Sequence, residues 1–439
     1  MTSPYRIIVV GGGAGGLELV TKLGRKYKKR DDIETVLVDK NYAHIWKPLL
    51  HEVAAGTLNS NDDELSYLAQ AHWNHFEFRL GTISSLDRAN KRLTIAPSYD
   101  DEGEEYIPER VLRYDILVIA IGSVTNDFGI DGIAQHCFFL DGRHQADNFH
   151  KHLVRSCYTA NVQQDPIREG QLHIAIAGAG ATGVELAAEL HHSIHALVGF
   201  GLQNIALESD LKIHLIEGSE RILPGLTEKI SQATHEALER IGVEIHVNEF
   251  VSKADDTGFY TKSGKFIPAE IKVWAAGIKG QEILAGLDNL ETNRINQLVV
   301  NDKLQTTKDS AIFALGDCAA CPIGEDEFAP PRAQAAHQQA STVAQSIMHL
   351  IRDDEPVRFE YRDFGSLINL SKTSTVGSLM GNLFGRQSGS VAIEGWFARG
   401  AYLSLYKMHQ IAVQGFIRTC ALTLANWITR SSKPRLKLH

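Results

Sequence analysis

Gly11, Gly13 and Gly16 stand at GxGxxG spacing behind the β-branched run Ile7 to Val10, and Gly178, Gly180 and Gly183 repeat that spacing behind Ile174 to Ala177. Glycines so placed can cradle a pyrophosphate. The first permits a tight turn, the second carries no side chain to hold phosphates off the backbone, and the third lets helix and strand pack closely. The helix that follows offers free N–H groups and the positive end of its dipole to the anion. The first loop also contains Ala14 and Gly15, the second Thr182. Each copy continues to a second strand that ends in an acid: Asp39, followed by Lys40, after "TVLVD", and Glu217 after "LKIHLIE". A carboxylate there accepts from ribose hydroxyls and repels a 2′-phosphate, which favours NADH over NADPH at Glu217, although Arg221 nearby could pair such a phosphate. Glu217 lies 34 residues past Gly183, and "GFGLQNIALESD" reads as an extension between helix and strand.

The elements that must position these groups recur as well. "YDILVIAIGS" is an apolar strand that closes on Ala120 and Gly122, and "AEIKVWAAGIK" closes on Ala276 and Gly277. Each follows a stretch with hairpin-like turns, "DRANKRLTI" in one case and "DDTGFYTKSGKFI" in the other. The repeated order predicts an α/β chain with two Rossmann-like dinucleotide-binding domains. Two cradles suggest two cofactors held face to face. A nicotinamide and a flavin are the natural pair, because hydride passes from one to the other.

"IFALGDCA", Ile312 to Ala319, resembles the closing motif of the two-dinucleotide-binding-domain flavoproteins. That resemblance implies that Asp317 bonds the ribityl chain of FAD, that FAD occupies the first cradle and NADH the second, and that the second domain is inserted in the first. The expected organisation is an FAD-binding domain of residues 1–165 and 296–345, an NADH-binding domain of residues 166–295, and a C-terminal region, 346–439, with amphipathic helices lying on a membrane. Within that superfamily, "HIWKPLLHEVAAG", "GAGATGVELAAEL", "VWAAGIKG" and "PPRAQAAHQQA" are similar to the type II NADH dehydrogenases, the single-subunit respiratory NADH:quinone oxidoreductases of bacteria. "STVGSLMGNL" and "PRLKLH" resemble the proteobacterial members, and the likeness covers essentially the whole chain. It implies that His44 and Ala335 join the FAD site. It places Gln334 and Gln338 at a pocket for a membrane quinone, ubiquinone or menaquinone; Lys372, in "INLSKTSTVG", is a weaker candidate for the same pocket, where a cation could stabilise the charge of reduced quinone, and reads equally as a solvated surface lysine. It sets Glu185 near nicotinamide and flavin. The residues alone leave plainer readings open: Glu185 as a first-turn acid complementing the helix dipole, and Gln334 and Gln338 as a polar stripe on one helix face.

Composition narrows the classes. Apolar content of 44% and charged content of 22% over 439 residues suit a globular chain of two or three domains. A net charge of −9 argues against nucleic acid as a partner. Five irregularly spaced cysteines favour a reducing compartment over a disulfide framework. Cys318 and Cys321 stand at CxxC spacing, but no second pair accompanies them, so they read as small buried residues. The nineteen histidines show no metal-ligand spacing, and His191, His192 and His195 read as helix-end residues. No metal is expected. The start of the chain enters a strand at once, without a signal-peptide leader.

Residues 395–439 carry seven Lys or Arg and no Asp or Glu, so the remainder holds about −16 by subtraction. Ile417, Ala421, Leu424 and Ile428 recur at helical spacing, with Phe416 and Trp427 beside them and Tyr402 and Tyr406 upstream, and Arg418 and Arg430 bracket an uncharged run of eleven residues. This run is too short to span a bilayer but suits its interface. The alternative is a helix pair that covers the protein's own core or forms a homodimer contact. The expected activity is therefore FAD-dependent transfer of electrons from NADH to quinone, peripheral to the cytoplasmic face of the bacterial inner membrane and without proton pumping. The rivals are a soluble NADH-dependent reductase of a protein or disulfide acceptor, a sulfide-oxidising quinone reductase, and an FAD-binding redox sensor.

Overall fold

The computed structural model describes residues 4–59, 64–100, 102–370, 374–380, 390–394, 406–429 and 437. The chain opens with β1 (Tyr5–Val10), α1 (Ala14–Tyr27) and β2 (Ile33–Asp39). A short α2 (Leu50–Ala55) and α3 (Tyr67–Asn74) follow, then β3 (Glu77–Leu80). A three-stranded antiparallel sheet comes next, from β4 (Ile83–Asp87), β5 (Arg92–Ile95) and β6 (Arg110–Arg113). The apolar run then becomes β7 (Ile116–Ile119), which lies parallel to β1. Ile7, Ile8, Val9, Leu117, Val118 and Ile119 are wholly buried, as the continuous apolar runs of a covered parallel sheet require.

After β8 (Ser123–Thr125) and the long α4 (Arg143–Val162), the same grammar starts again. It runs β9 (Ile174–Ala177), α5 (Ala181–Gly199), β10 (Ile213–Ile216), α6 (Glu228–Arg240) and β11 (Val243–His246). A second three-stranded sheet, β12 (Val251–Ala254), β13 (Gly258–Thr261) and β14 (Phe266–Pro268), precedes β15 (Ile271–Trp274). The second parallel sheet has the order β11-β10-β9-β15. The extension read between helix and strand is present, with one short helix at Leu207–Asp210.

β16 (Ile278–Gly280) then pairs antiparallel with β8, and the chain re-enters the first sheet through β17 (Gln305–Thr306) and β18 (Asp309–Ala314). β18 lies parallel to β7, which gives the order β17-β18-β7-β1-β2-β3. The first sheet is thus built from both sides of the second. Phe149, Leu153 and Cys157 of α4, and Leu50 and Val53 of α2, are buried in the core beneath the second sheet.

Beyond α7 (Ala333–Leu350) the C-terminal region holds strands as well as helices. β19 (Gly365–Leu370), β20 (Ser374–Met380) and β21 (Ser390–Glu394) form an antiparallel sheet before helix α8, residues 406–414, and α9 (Phe416–Thr429). Among the described residues, no helix is long and apolar enough to cross a membrane.

Candidate functional site

The two glycine loops are near copies. Gly11 has φ +102° and Gly178 φ +104°, a conformation costly for any residue with a Cβ. A Cβ on Gly16 would sit 1.9 Å from the Gly11 carbonyl oxygen, and one on Gly183 would sit 1.9 Å from that of Gly178. Only glycine lets helix and loop approach so closely. At Gly13 and Gly180 a Cβ would meet nothing within 4 Å, and neither residue caps its helix with a side chain. Open space therefore lies before free N–H groups at both helix starts, which fits a pyrophosphate.

The acids hold the loops. Asp39 Oδ2 accepts from Gly12 N at 2.6 Å, and its other oxygen accepts from Asn41 N at 2.8 Å. Glu217 Oε2 accepts from Ala179 N at 2.9 Å and Oε1 from Ser219 N at 2.9 Å. Asp39 Oδ1 also accepts from Asn41 Nδ2 at 3.0 Å, whereas each Glu217 oxygen, with one donor, keeps a lone pair for a ribose hydroxyl. Burial raises the Asp39 carboxyl above its ordinary value, against the backbone donors that lower it. Arg221 is not free for a 2′-phosphate. Its guanidinium donates to the carbonyls of Leu223, Pro224 and Leu226, the last two at 2.9 and 2.8 Å.

The other expected residues ring these cradles. Ala120 directly follows β7 under the first loop, and its nitrogen donates to Val10 O. Gly122 (φ +69°) opens onto empty space. Asp317 Oδ2 accepts from Ser123 Oγ at 2.9 Å. Lys40 is exposed beside Asp39, Ala14 begins α1 half-buried, and Thr182, second in α5, is exposed. Ala276 and Gly277 stand in the turn after β15, where a Cβ on Gly277 would strike the Phe128 ring. Gly15 serves packing: its Cβ would lie 3.0 Å from the Ala336 carbonyl, so α7, with buried Ala335, can rest on α1. The buried Glu18 of α1 pairs with Lys22 at 2.7 Å and with His337 of α7, which fixes that contact.

The peptide of Gly12, in the middle of the first loop, is held from three sides. Its N–H goes to Asp39, and its carbonyl accepts from Tyr67 Oη at 2.8 Å and from His44 Nδ1 at 2.9 Å. Because Nδ1 of His44 must carry the proton, Nε2 is left as an acceptor, and His409 Nε2 of α8 meets it at 3.1 Å. Burial holds both imidazoles neutral, pushing His44 down to about 4 and His409 well below its ordinary range. Trp46 packs against His409 with the ring planes tilted by 39° and the centroids 4.2 Å apart. Gly12, Tyr67 and His409 escape sequence reading. The middle glycine of "GGGAGG" was a signal; the partners, 55 and 365 residues away along the contacts, were not.

Between the cradles α2 packs on α5, and there Glu185 is buried. Its Oε1 accepts from Asn369 N of β19 at 2.9 Å, and Oε2 lies 3.7 Å from His51 Nδ1. Burial, with Glu52 and Glu189 adding like charge, pushes the Glu185 carboxyl up to about 8, and burial pushes His51 down to about 4. Both shifts favour the uncharged forms at neutral pH, a protonated carboxyl beside an imidazole that keeps a single ring proton. A mere dipole complement would be an exposed carboxylate; Glu185 is neither.

Gln334 and Gln338 share a face of α7 and grip one segment. Gln338 pairs with the backbone of Arg362 both ways at 2.9 Å, as a strand would. Gln334 accepts from Phe364 N at 3.1 Å and donates to Gly365 O at 3.1 Å and to Asp363. That segment leads into β19 and so to Asn369 and Glu185. The neighbouring Gln339, buried and unforeseen, accepts from Gly316 N at 2.7 Å and sets the turn that bears Asp317. Lys372, Tyr402, Arg430, Lys433 and Arg435 lie outside the described residues.

Cys318 and Cys321 are free, buried thiols, pushed up by burial to about 11 and about 12, so neither is a thiolate nucleophile. His191, His192 and His195 are not helix-end residues, because α5 runs on to Gly199 and has no basic residue in its last turn. Their placement owes nothing to the dipole.

A family model described as pyridine nucleotide-disulphide oxidoreductase matches residues 5–340. A curated relative from Haemophilus influenzae, named type II NADH:quinone oxidoreductase, is 42% identical over 445 aligned residues, covering 99% of this chain and 99% of the relative. One of the same name from Staphylococcus aureus is 29% identical, covering 86% and 90%. Among solved structures, NDH2 from Plasmodium falciparum in complex with NADH superposes with TM-score 0.81 at 20% identity, covering 99% of this chain and 100% of that one. The sulfide:quinone oxidoreductase of Aquifex aeolicus gives 0.73 at 18%, covering 94% and 92%. These two structures share the fold.

Proposed function

We infer that the chain, which belongs to the pyridine nucleotide-disulphide oxidoreductases and among them to the type II NADH:quinone oxidoreductases, passes electrons from NADH through FAD to a quinone. The observation that carries this reading is the pair of matched cradles joined where α2 meets α5. FAD, when bound, supplies a two-electron carrier that takes hydride from NADH and is reoxidised by quinone.

The residues divide the work. Gly11, Gly13, Ala14, Gly15 and Gly16 would hold the FAD pyrophosphate, with Asp39 and Lys40 toward its ribose. His44 fixes the loop through Gly12, and Ala120, Gly122, Asp317 and Ala335 line the remainder. Gly178, Gly180, Thr182 and Gly183 would hold NADH, with Glu217 at its ribose and Ala276 and Gly277 beyond. On this reading residues 1–165 with 296–345 serve FAD and residues 166–295 serve NADH, although α4 leans on the NADH side. Glu185, uncharged at neutral pH, holds a proton at Oε2 for the quinone. Gln334 and Gln338 act by shaping the wall of the quinone site, since their amides already hold residues 362–365. Their bonds predict a split: Gln338→Ala raises the quinone KM about tenfold and leaves NADH-dependent reduction of a soluble dye intact. A matching fall in both activities would mean a general loss of fold.

Anaerobic titration tests the whole scheme. NADH should bleach the flavin and quinone should restore its absorbance; bleaching that no quinone reverses removes the acceptor assignment alone. A disulfide acceptor is disfavoured because no thiolate-forming cysteine is found among the described residues of the site.

For the tail we propose the membrane surface, on its cytoplasmic side. Phe416, Ile417, Leu424 and Ile428 of α9 are 66%, 85%, 58% and 61% exposed, a density of bare apolar side chains that water alone does not favour. Arg418 lies over the Trp73 ring of α3, and Leu68 adds to the same apolar exposure. Part of the basic end is otherwise engaged, because Lys437 pairs with Asp147 at 3.1 Å. All five cysteines are free, as a reducing compartment requires. Ile417→Glu with Ile428→Glu should abolish cosedimentation with anionic vesicles while dye reduction stays within twofold. If the variant instead stays on vesicles and changes oligomeric state in sedimentation velocity, the face serves a second copy.

A further inference from the structure

Histidines that the sequence scatters are brought together by strand register. β10 and β11 run parallel, with His214 opposite Glu244 and Ile216 opposite His246. Side chains at alternate positions of neighbouring strands share a face, so His214, Glu244 and His246 stand together on the side of the second sheet away from Ile213 and Leu215. His214 Nδ1 lies 3.2 Å from His246 Nε2 and 3.3 Å from Glu244 Oε2. The potential ligand atoms all fall within 4.8 Å of one another. Zinc–nitrogen bonds of about 2.0–2.1 Å in a tetrahedron set ligand atoms about 3.3 Å apart.

The protons make the cluster uneasy without a cation. Lys265 Nζ donates to His246 Nδ1 at 2.9 Å, so the proton of that ring lies on Nε2 and points to His214 Nδ1. His214 Nδ1 is then a lone pair facing the Glu244 carboxylate, which repels it. The proton of His214 is left on Nε2, a buried atom with no hydrogen-bond partner. A cation between the imidazole and the carboxylate converts that repulsion into attraction. His173, with its ring centroid 5.5 Å from that of His214, flanks the group, and Lys212 reaches Glu244 at 3.6 Å.

We propose that His214 Nδ1, His246 Nε2 and the Glu244 carboxylate form a site for a divalent transition-metal cation of the zinc type, with a fourth position left to water. Binding frees the Lys265 and Lys212 ammonium groups, both on solvent-facing side chains, into water. It ties edge strand β11 to β10. The His246 carbonyl that accepts from Glu217 N at 2.8 Å belongs to this tie, so the cation braces the strand end behind the NADH ribose acid.

Zinc titration of untagged, EDTA-treated, flavin-loaded enzyme tests this, read by calorimetry and thermal melting. One equivalent should bind and raise the melting temperature. His246→Ala and Glu244→Gln should each weaken that binding at least tenfold with the flavin spectrum unchanged. Lys265→Gln should tighten it, because a competing cation is removed and a carbonyl acceptor for Nδ1–H is supplied. Cys318→Ser with Cys321→Ser should leave it unaltered. Absence of zinc binding overturns the proposal, as does equal affinity in His246→Ala, or a site that vanishes only with the two cysteines.

Discussion

Gly183→Ala is expected to give a yellow protein that NADH scarcely bleaches. The added methyl would stand 1.9 Å from the Gly178 carbonyl oxygen, whereas a carbon needs more than 3 Å. The second loop must therefore move by over an ångström relative to its helix, and misplacement on that scale costs about a hundredfold. The NADH KM should rise by about that factor. The flavin spectrum should be retained, because the first loop belongs to another sheet. Gly16→Ala repeats the same clash against Gly11 and should instead leave the protein colourless. Stopped-flow reduction and flavin content read the two outcomes separately. A colourless Gly183→Ala, or a yellow Gly16→Ala with poor NADH reduction, would exchange the two cradles.

Glu185→Gln should lower quinone-dependent turnover by about a hundredfold, the scale of a lost proton donor, with dye reduction largely kept. The pH dependence carries the sharper test. A carboxyl raised from 4.5 to about 8 in the fold binds more protons folded than unfolded between those values. Stability therefore falls as pH rises through that window, by a few kcal/mol at most order, and levels off above it. The depressed histidines His44, His51 and His409 give the opposite slope below about pH 6.5, so the Glu185 contribution shows alone above it: wild-type melting temperature should decline from about pH 6.5 to about 8, and Glu185→Gln should flatten that decline. Quinone reduction by the wild type should fall above about pH 8, a limb the variant lacks. A flattened melting profile with unchanged turnover would make Glu185 a structural acid only.

What could be read from the chain was local. Both glycine loops, their acids and their closing strands carry spacing that few residues separate, and a repeated local pattern is hard to produce by chance. Glu185 stood in a recognised place, but its environment did not, because His51 and Asn369 reach it from separate elements. Gln334 and Gln338 fell on one helix face as their spacing required. Nothing in that spacing told that both amides would be consumed by residues 362–365. The His44–His409 contact joins residues 365 apart, and His214 meets His246 only because β10 and β11 are in register. Long-range pairing is decided by topology, and in these cases no short motif stood for it. The β-sheet at 365–394 was missed for a related reason: its strands are rich in Gly, Ser and Thr and carry a weak apolar alternation.

The divided first sheet bears on how the chain is born. β7 ends at Ile119 and its neighbour β18 begins at Asp309, so 189 residues must be translated before that edge is covered. At ribosomal speeds this takes roughly 10–40 s. Over that interval a bare, wholly apolar strand edge waits in the nascent polypeptide, the condition that invites misassembly. The intervening parallel sheet is continuous in sequence and can close first, serving as a platform against which the waiting half is later completed. Chaperone demand should accordingly be greatest before residue 314 leaves the exit tunnel, and slowing translation just after β7 should lower the yield of active enzyme more than slowing it after β18.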